Sequence, residues 1–149
     1  SEIKLSKLVV VGPQPDEEKL KALAKRGFKT VINLSGKGEL GQAFSPEDEG
    51  KAVTDLGIEY QHHPVALNRL KPDQIDAFCE LLEEAPKPAY VHCRIGQRSV
   101  PLSLIFHALR RKLSPKQALD RAKKLGISWS APFLKTTVTT YLEKQAQAA

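Results

Sequence analysis

The residues best suited to chemistry stand together as Cys93-Arg94-Ile95-Gly96-Gln97-Arg98-Ser99. They follow the apolar run Ala89–His92 and precede a long helix-forming stretch. A thiol between a strand end and a helix start faces unpaired backbone N–H groups and the positive end of the helix dipole. Arg94 and Arg98 add positive charge there, and such surroundings favour the thiolate, the nucleophilic form of cysteine. Gly96 lets the segment curl so that successive N–H groups form an anion nest. The planar fork of Arg98 suits two oxygens of a phosphate-like group. Cys93 is therefore the candidate nucleophile, and Arg94, Ile95, Gly96, Gln97, Arg98 and Ser99 are the candidate segment for holding a phosphate-like anion. The second cysteine, Cys79, lies on the helical apolar stripe Ile75, Phe78, Cys79, Leu82 and reads as a core-filling residue.

The flanking chain supplies the elements that must position this loop. Val9-Val10-Val11 reads as a buried strand ending at the turn Gly12-Pro13. Asp16-Glu17-Glu18 opens a helix bearing Leu20, Leu23 and Ala24 on one face and closing at Gly27. A strand over Thr30–Leu34 follows, then a glycine-rich loop from Ser35 to Phe44. Ser45-Pro46-Glu47-Asp48 starts a helix that stops near Gly57, followed by a strand over Ile58–His62. After a loop through Lys71, Pro72-Asp73 begins the helix that Pro86-Lys87-Pro88 breaks. Ala89–His92 forms a strand, and Ser99 to Arg111 is apolar nearly all round, as a buried central helix should be. Ser114-Pro115-Lys116-Gln117 is a capping-box start for a helix ending at Gly126, and a last helix covers Phe133 to Lys144. Alternating strands and helices predict one α/β domain over residues 1–149: a mostly parallel sheet of about 4–5 strands, with helices on both faces. Ligands bind such sheets beyond the carboxyl ends of the strands, where Cys93 falls.

Composition narrows the function classes. The 149 residues are 41% hydrophobic and 27% charged, too apolar for a disordered chain. No apolar run approaches the roughly 18 residues of a membrane span. The formal charge of +6 favours an anionic partner, but no aromatic-interleaved basic stripe or zinc-finger spacing points to nucleic acid. Phosphate esters or an acidic surface remain as partner classes. No signal peptide is legible at the start, so a cytoplasmic location is the default, although a trimmed secretory signal would leave the same beginning.

His92-Cys93-x-x-Gly96-x-Arg98-Ser99 resembles the signature loop of the cysteine-dependent protein tyrosine and dual-specificity phosphatases. Val11–Pro15, Gly27–Leu34 and His63-Pro64-Val65 are similar, in order, to compact dual-specificity phosphatases. More closely, the chain resembles bacterial phosphatase-like proteins once grouped as a domain of unknown function and related to the beta-lactamase-hydrolase-like phosphatases. The resemblance implies a compact three-layer dual-specificity-phosphatase-like domain. It also implies a cysteinyl-phosphate intermediate on Cys93, charge stabilisation by Arg98 and the loop amides, thiolate departure assisted by Ser99, and loop support from His92. The resemblance further implies a phosphorylated protein or small molecule as substrate, phosphate or sulfate held in the loop, no metal or organic cofactor, and an activity that is weak or of dual specificity.

Two departures matter. The usual phosphatase loop has five residues between Cys and Arg, whereas four separate Cys93 from Arg98. This shortens the contour by roughly 3.3 Å and removes one N–H donor. The bacterial subgroup shares this spacing. It is also similar to the active loop of rhodanese-type sulfurtransferases, which leaves sulfur transfer through a Cys93 persulfide as a rival. A non-catalytic phosphate-binding module is a third reading. The second departure is the general acid: where dual-specificity phosphatases place an Asp, the chain has Asn68 or Arg69. Loss of general-acid help costs about 10²–10⁴-fold, less for aryl leaving groups. Asp73, Asp48 and Glu39 are the remaining candidates for that role. His62 and His63 read as strand-end residues that pack or meet solvent.

Overall fold

The computed structural model describes residues 1–39, 41–66 and 70–148. In chain order the elements are β1 (Ile3–Lys4), β2 (Val9–Val11), α1 (Glu17–Lys25), β3 (Thr30–Asn33), α2 (Pro46–Asp55) and β4 (Glu59–His62). They continue with α3 (Pro72–Glu84), β5 (Ala89–His92), α4 (Ser99–Arg111), α5 (Pro115–Lys124) and α6 (Pro132–Ala148). The strands form one sheet in the order β1-β2-β5-β3-β4. β2, β5, β3 and β4 run parallel, and only the short edge strand β1 is antiparallel.

Alternation along the buried strands divides the core in two, because successive side chains point to opposite faces of a sheet. Val9, Val11, Ile32 and Val91 face α3, α4, α5 and α6. Val10, Val31 and Tyr90 face α1 and α2, where Leu20, Leu23 and Val53 complete a smaller core. This is the expected three-layer α/β domain. α4 is buried from Ser99 through Ala108, save Val100, and packs on β2, β5 and the three helices of its own layer. Its apolar circumference in the sequence has that cause.

The boundaries differ from the sequence reading in small, explicable ways. β3 ends at Asn33 and β4 begins at Glu59, one residue inside each expected end. Ile58 instead donates its N–H to Val53 O and belongs to the closing turn of α2. α6 is longer than Phe133 to Lys144, at 17 residues. β1 was not legible, since two residues hold no periodic signal. Cys79 is half-buried on the margin of the core, and burial pushes its thiol up to about 12.

The parallel register aligns Asn33, His62 and His92 at the carboxyl ends of three adjacent strands. Ladder bonds extend past those ends: Gly12 N–H donates to Val91 O, Leu34 N–H to His92 O, and Val65 N–H to Leu34 O. Four chain segments therefore converge on Cys93.

Candidate active site

Cys93 follows directly on β5, and its Sγ is turned toward polar groups although the residue is only 1% exposed. The Gly96 N–H donates to Sγ at 3.1 Å, and Ser99 Oγ lies 3.3 Å from it. The loop curls because Gly96 takes φ +84, a backbone region open to glycine. α4 grows directly out of the curl: Val100 N–H donates to Gly96 O, and Leu102 N–H to Arg98 O. Sulfur thus sits just before a 13-residue helix and accepts from the Gly96 amide of the loop that leads into it. Ile95, at 67% exposure, is the outer tip of the loop.

Arg98 is buried and held on one edge. Its Nη1 donates to Glu39 Oε2 at 2.8 Å, to Val65 O at 3.1 Å and more weakly to Leu34 O at 3.4 Å, while Nη2 donates to Glu39 Oε1 at 2.7 Å. Two strand-end carbonyls and a bidentate carboxylate therefore fix the guanidinium plane. A guanidinium has five N–H groups. Nε–H and the remaining Nη2–H, the adjoining edge of the fork, meet no oxygen acceptor among the described residues. The Glu39 carboxylate, and then the neighbouring Cys93, hold the guanidinium even more firmly protonated than usual. Reciprocally, Arg98 and then the Gly36 N–H hold the Glu39 carboxyl below its ordinary range, against the effect of burial.

His92 points to the opposite face of the sheet from Cys93. Its Nε2 lies 2.7 Å from Glu49 Oε2 on α2, and both side chains are almost wholly buried. Tyr90 packs beside the imidazole with ring centres 6.2 Å apart. Next to it, Asn33 Oδ1 accepts from the Ser35 N–H, and Asn33 Nδ2 donates to Tyr60 Oη. Glu49, Asn33 and Tyr60 support the loop without having been singled out in the sequence. Glu49 in particular reads there as one of three acidic residues at a helix start, ordinary company for a helix dipole.

The general-acid candidates separate clearly. Glu39 is beside the loop but is ionised and bound to Arg98. Asp73 stays in the first turn of α3, with Oδ1 accepting from the Gln74 N–H. Asp48 stays in the first turn of α2. Asn68 and Arg69 lie outside the described residues. His62 Nε2 lies 2.7 Å from Ser35 O, and half-buried His63 has its pKa lowered by desolvation and by His62. Among the described residues no cluster of His, Cys, Asp and Glu could hold a metal ion. A cavity of about 320 Å³ adjoins the loop, bordered by Val11, Gly12, Arg94, Ile95, Gly96 and Ser128.

A parallel sheet with a cysteine–arginine loop at its carboxyl edge is the architecture of the protein tyrosine phosphatase-like folds. Residues 4–110 match the model of the beta-lactamase hydrolase-like protein, phosphatase-like domain, and the chain belongs to that family. It is 26% identical over 146 residues to a beta-lactamase hydrolase-like protein of Agrobacterium fabrum, covering 98% of this chain and 32% of that protein. The chain thus spans about a third of the curated relatives it matches. Among solved structures, Tk-PTP in its active form superposes with a TM-score of 0.78 at 22% identity, covering 97% of each chain. TpbA of P. aeruginosa, solved in complex with pTyr, superposes with a TM-score of 0.64 at 11% identity, covering 94% of this chain and 89% of that one. Among the described residues no helix is long and apolar enough to cross a membrane.

Proposed function

We propose that the chain is a cysteine-dependent phosphomonoesterase acting through a cysteinyl-phosphate intermediate. The single observation that carries this reading is the convergence on one point of Cys93 Sγ, the Gly96 amide, the Ser99 hydroxyl and an Arg98 with one edge anchored and the adjoining edge open.

The phosphoryl group of a bound ester sits above Sγ. Its equatorial oxygens accept from backbone N–H groups of residues 94–98 and from the open Nε–H/Nη2–H edge of Arg98, where charge accumulates in the transition state. The Cys93 thiolate attacks phosphorus, the S–P bond forms, and the P–O bond to the leaving group breaks with the electron pair on that oxygen. Water then attacks phosphorus, the S–P bond breaks, inorganic phosphate leaves, and Ser99 Oγ donates a hydrogen bond to the departing sulfur. Glu39 holds Arg98 in place and, being ionised, has no proton to give. Substrates whose leaving oxygen needs little protonation, aryl phosphates such as phosphotyrosine, are therefore favoured. The reading is supported by the family and by the phosphatase folds that resemble it.

The experiment is phosphate release from an aryl phosphate by the protein and by Cys93→Ser. The protein should turn over and the variant should not; equal rates would end the proposal. Thiocyanate formed from thiosulfate and cyanide would assign sulfur transfer instead. Saturable phosphate binding without any turnover would leave a binding module.

A further inference from the structure

The positive charge of the chain is concentrated in one segment. Residues 110–135 hold eight Lys and Arg against the single Asp120, a formal +7, which exceeds the +6 of the whole chain. The segment runs from the end of α4 through α5 to the first turn of α6. α5 buries Ala118 and Ala122 and turns Lys116, Lys123 and Lys124 outward, while half-buried Arg121 donates to Leu5 O. Along it lies a groove of about 490 Å³ lined by Lys116, Lys123, Lys135, Ser128 and half-buried Trp129. Asp120 also borders it, but among the described residues none of the three lysines is within ion-pair distance of a carboxylate. Three unneutralised ammonium groups around one concavity repel one another, and packing gives no reason to gather them.

The groove neighbours the cavity beside the Cys93 loop. Ser128 lines both the groove and the cavity bordered by Arg94, Ile95 and Gly96. Two residues on, Ser130 Oγ accepts from Gln97 Nε2 at 3.1 Å, so the 125–131 connection is tied directly to the loop. A substrate with its phosphoryl group at Cys93 can pass its flanking chain over Ser128 into the lysines.

We propose that this lysine–tryptophan groove is a substrate subsite that receives acidic side chains flanking the phosphorylated residue of a phosphoprotein. It deepens the phosphatase reading and, for its kinetic consequence, rests on it. Lysine ammoniums are mobile point charges suited to single carboxylates, and the indole offers a face for the stem of a peptide side chain. The site is recessed, and a concave surface takes a chain segment in a way that a lipid surface, which meets exposed apolar edges, does not match.

Trp129 is the only tryptophan, so its emission reports on the groove alone. An unphosphorylated peptide with four consecutive Glu should shift that emission saturably, a neutral peptide should not, and Lys116→Ala/Lys123→Ala/Lys135→Ala should abolish the response. In turnover, a phosphotyrosyl peptide flanked by Glu should exceed one flanked by Asn in kcat/KM by about tenfold at low salt, as a few exposed charge pairs permit. In the triple variant that preference should vanish while aryl phosphate hydrolysis is unchanged. All three lysines are exposed, and an unchanged thermal midpoint verifies folding. Equal kcat/KM for the two peptides, a preference that survives the triple variant, or a Trp129 response to phosphatidylserine vesicles but not to the peptide would overturn the proposal. If no phosphoester is turned over, the catalytic reading fails, and the emission titration still decides the groove.

Discussion

Two carboxylates brace the Cys93 loop from opposite faces of the sheet. Glu49 meets His92 inside the α1–α2 layer, where both side chains are sealed from water. Glu39 meets Arg98 from a glycine-rich loop and keeps about a quarter of its side-chain surface exposed, at 27%. The first pair ties His92, the residue directly before Cys93, to α2. The second aims a charged side chain and can follow it if it moves. A buried pair is costly to break, because the surviving partner stays desolvated. A partly exposed pair is cheap to break, because water replaces the lost partner. Glu49 is therefore expected to act mainly through folding and Glu39 mainly through turnover.

Variants can break that contrast, and the largest effect belongs to the group that Glu39 aims. Arg98→Lys should lower kcat/KM for an aryl phosphate by about 10²–10³-fold, since a point charge cannot bind Glu39 and a phosphoryl group through two edges of one plane. Steady-state kinetics checks this, with little change in thermal midpoint. Next, Glu49→Ala should lower folding stability by about 3 kcal/mol, leaving His92 without its one described partner. His92 Nδ1 already has no hydrogen-bond partner among the described residues. Denaturant unfolding reads this, and a neutral result would refute the bracing role. Glu39→Gln should cost about tenfold in kcat/KM with a stability change under about 1 kcal/mol, the reverse weighting. A large loss of stability with unchanged turnover would invert the comparison.

The smallest effect concerns pH. Glu39 has its folded pKa depressed by Arg98, so its contribution to stability is full above the unfolded value and is lost as pH falls through the folded one. Glu2, clasped by Arg26 and Lys19, behaves likewise, with its carboxyl held at about 2 against an ordinary 4.5. Stability should decline between pH 4.5 and 2, and Glu2→Gln should flatten part of that decline in urea midpoints measured across the range.

The order of strands and helices was legible because Val9–Val11, Thr30–Leu34 and Ala89–His92 are β-branched or apolar runs bounded by Gly and Pro. The start and end of α4 were legible from its apolar circumference. Cys93, Arg98 and Ser99 were legible because short-range spacing places them in one curl. The braces were not, since they depend on contacts across the chain: Glu39 meets Arg98 at a separation of 59 residues, and Glu49 meets His92 at 43. Glu39 drew notice only as a possible acid, and its partner reverses that reading by holding it ionised. The basic groove was visible as surplus charge, but only the fold turns Lys116, Lys123 and Lys135 toward one concavity beside Gln97.

During turnover Cys93 should carry the phosphoryl group. Rapid mixing with an excess of a phosphotyrosyl peptide, followed by acid quench and intact-mass analysis, tests it directly. A transient gain of one phosphoryl mass located on Cys93, decaying as phosphate appears and absent in Cys93→Ser, is the expected result. Phosphate release from the unaltered protein without any such adduct, and undiminished in Cys93→Ser, would contradict it.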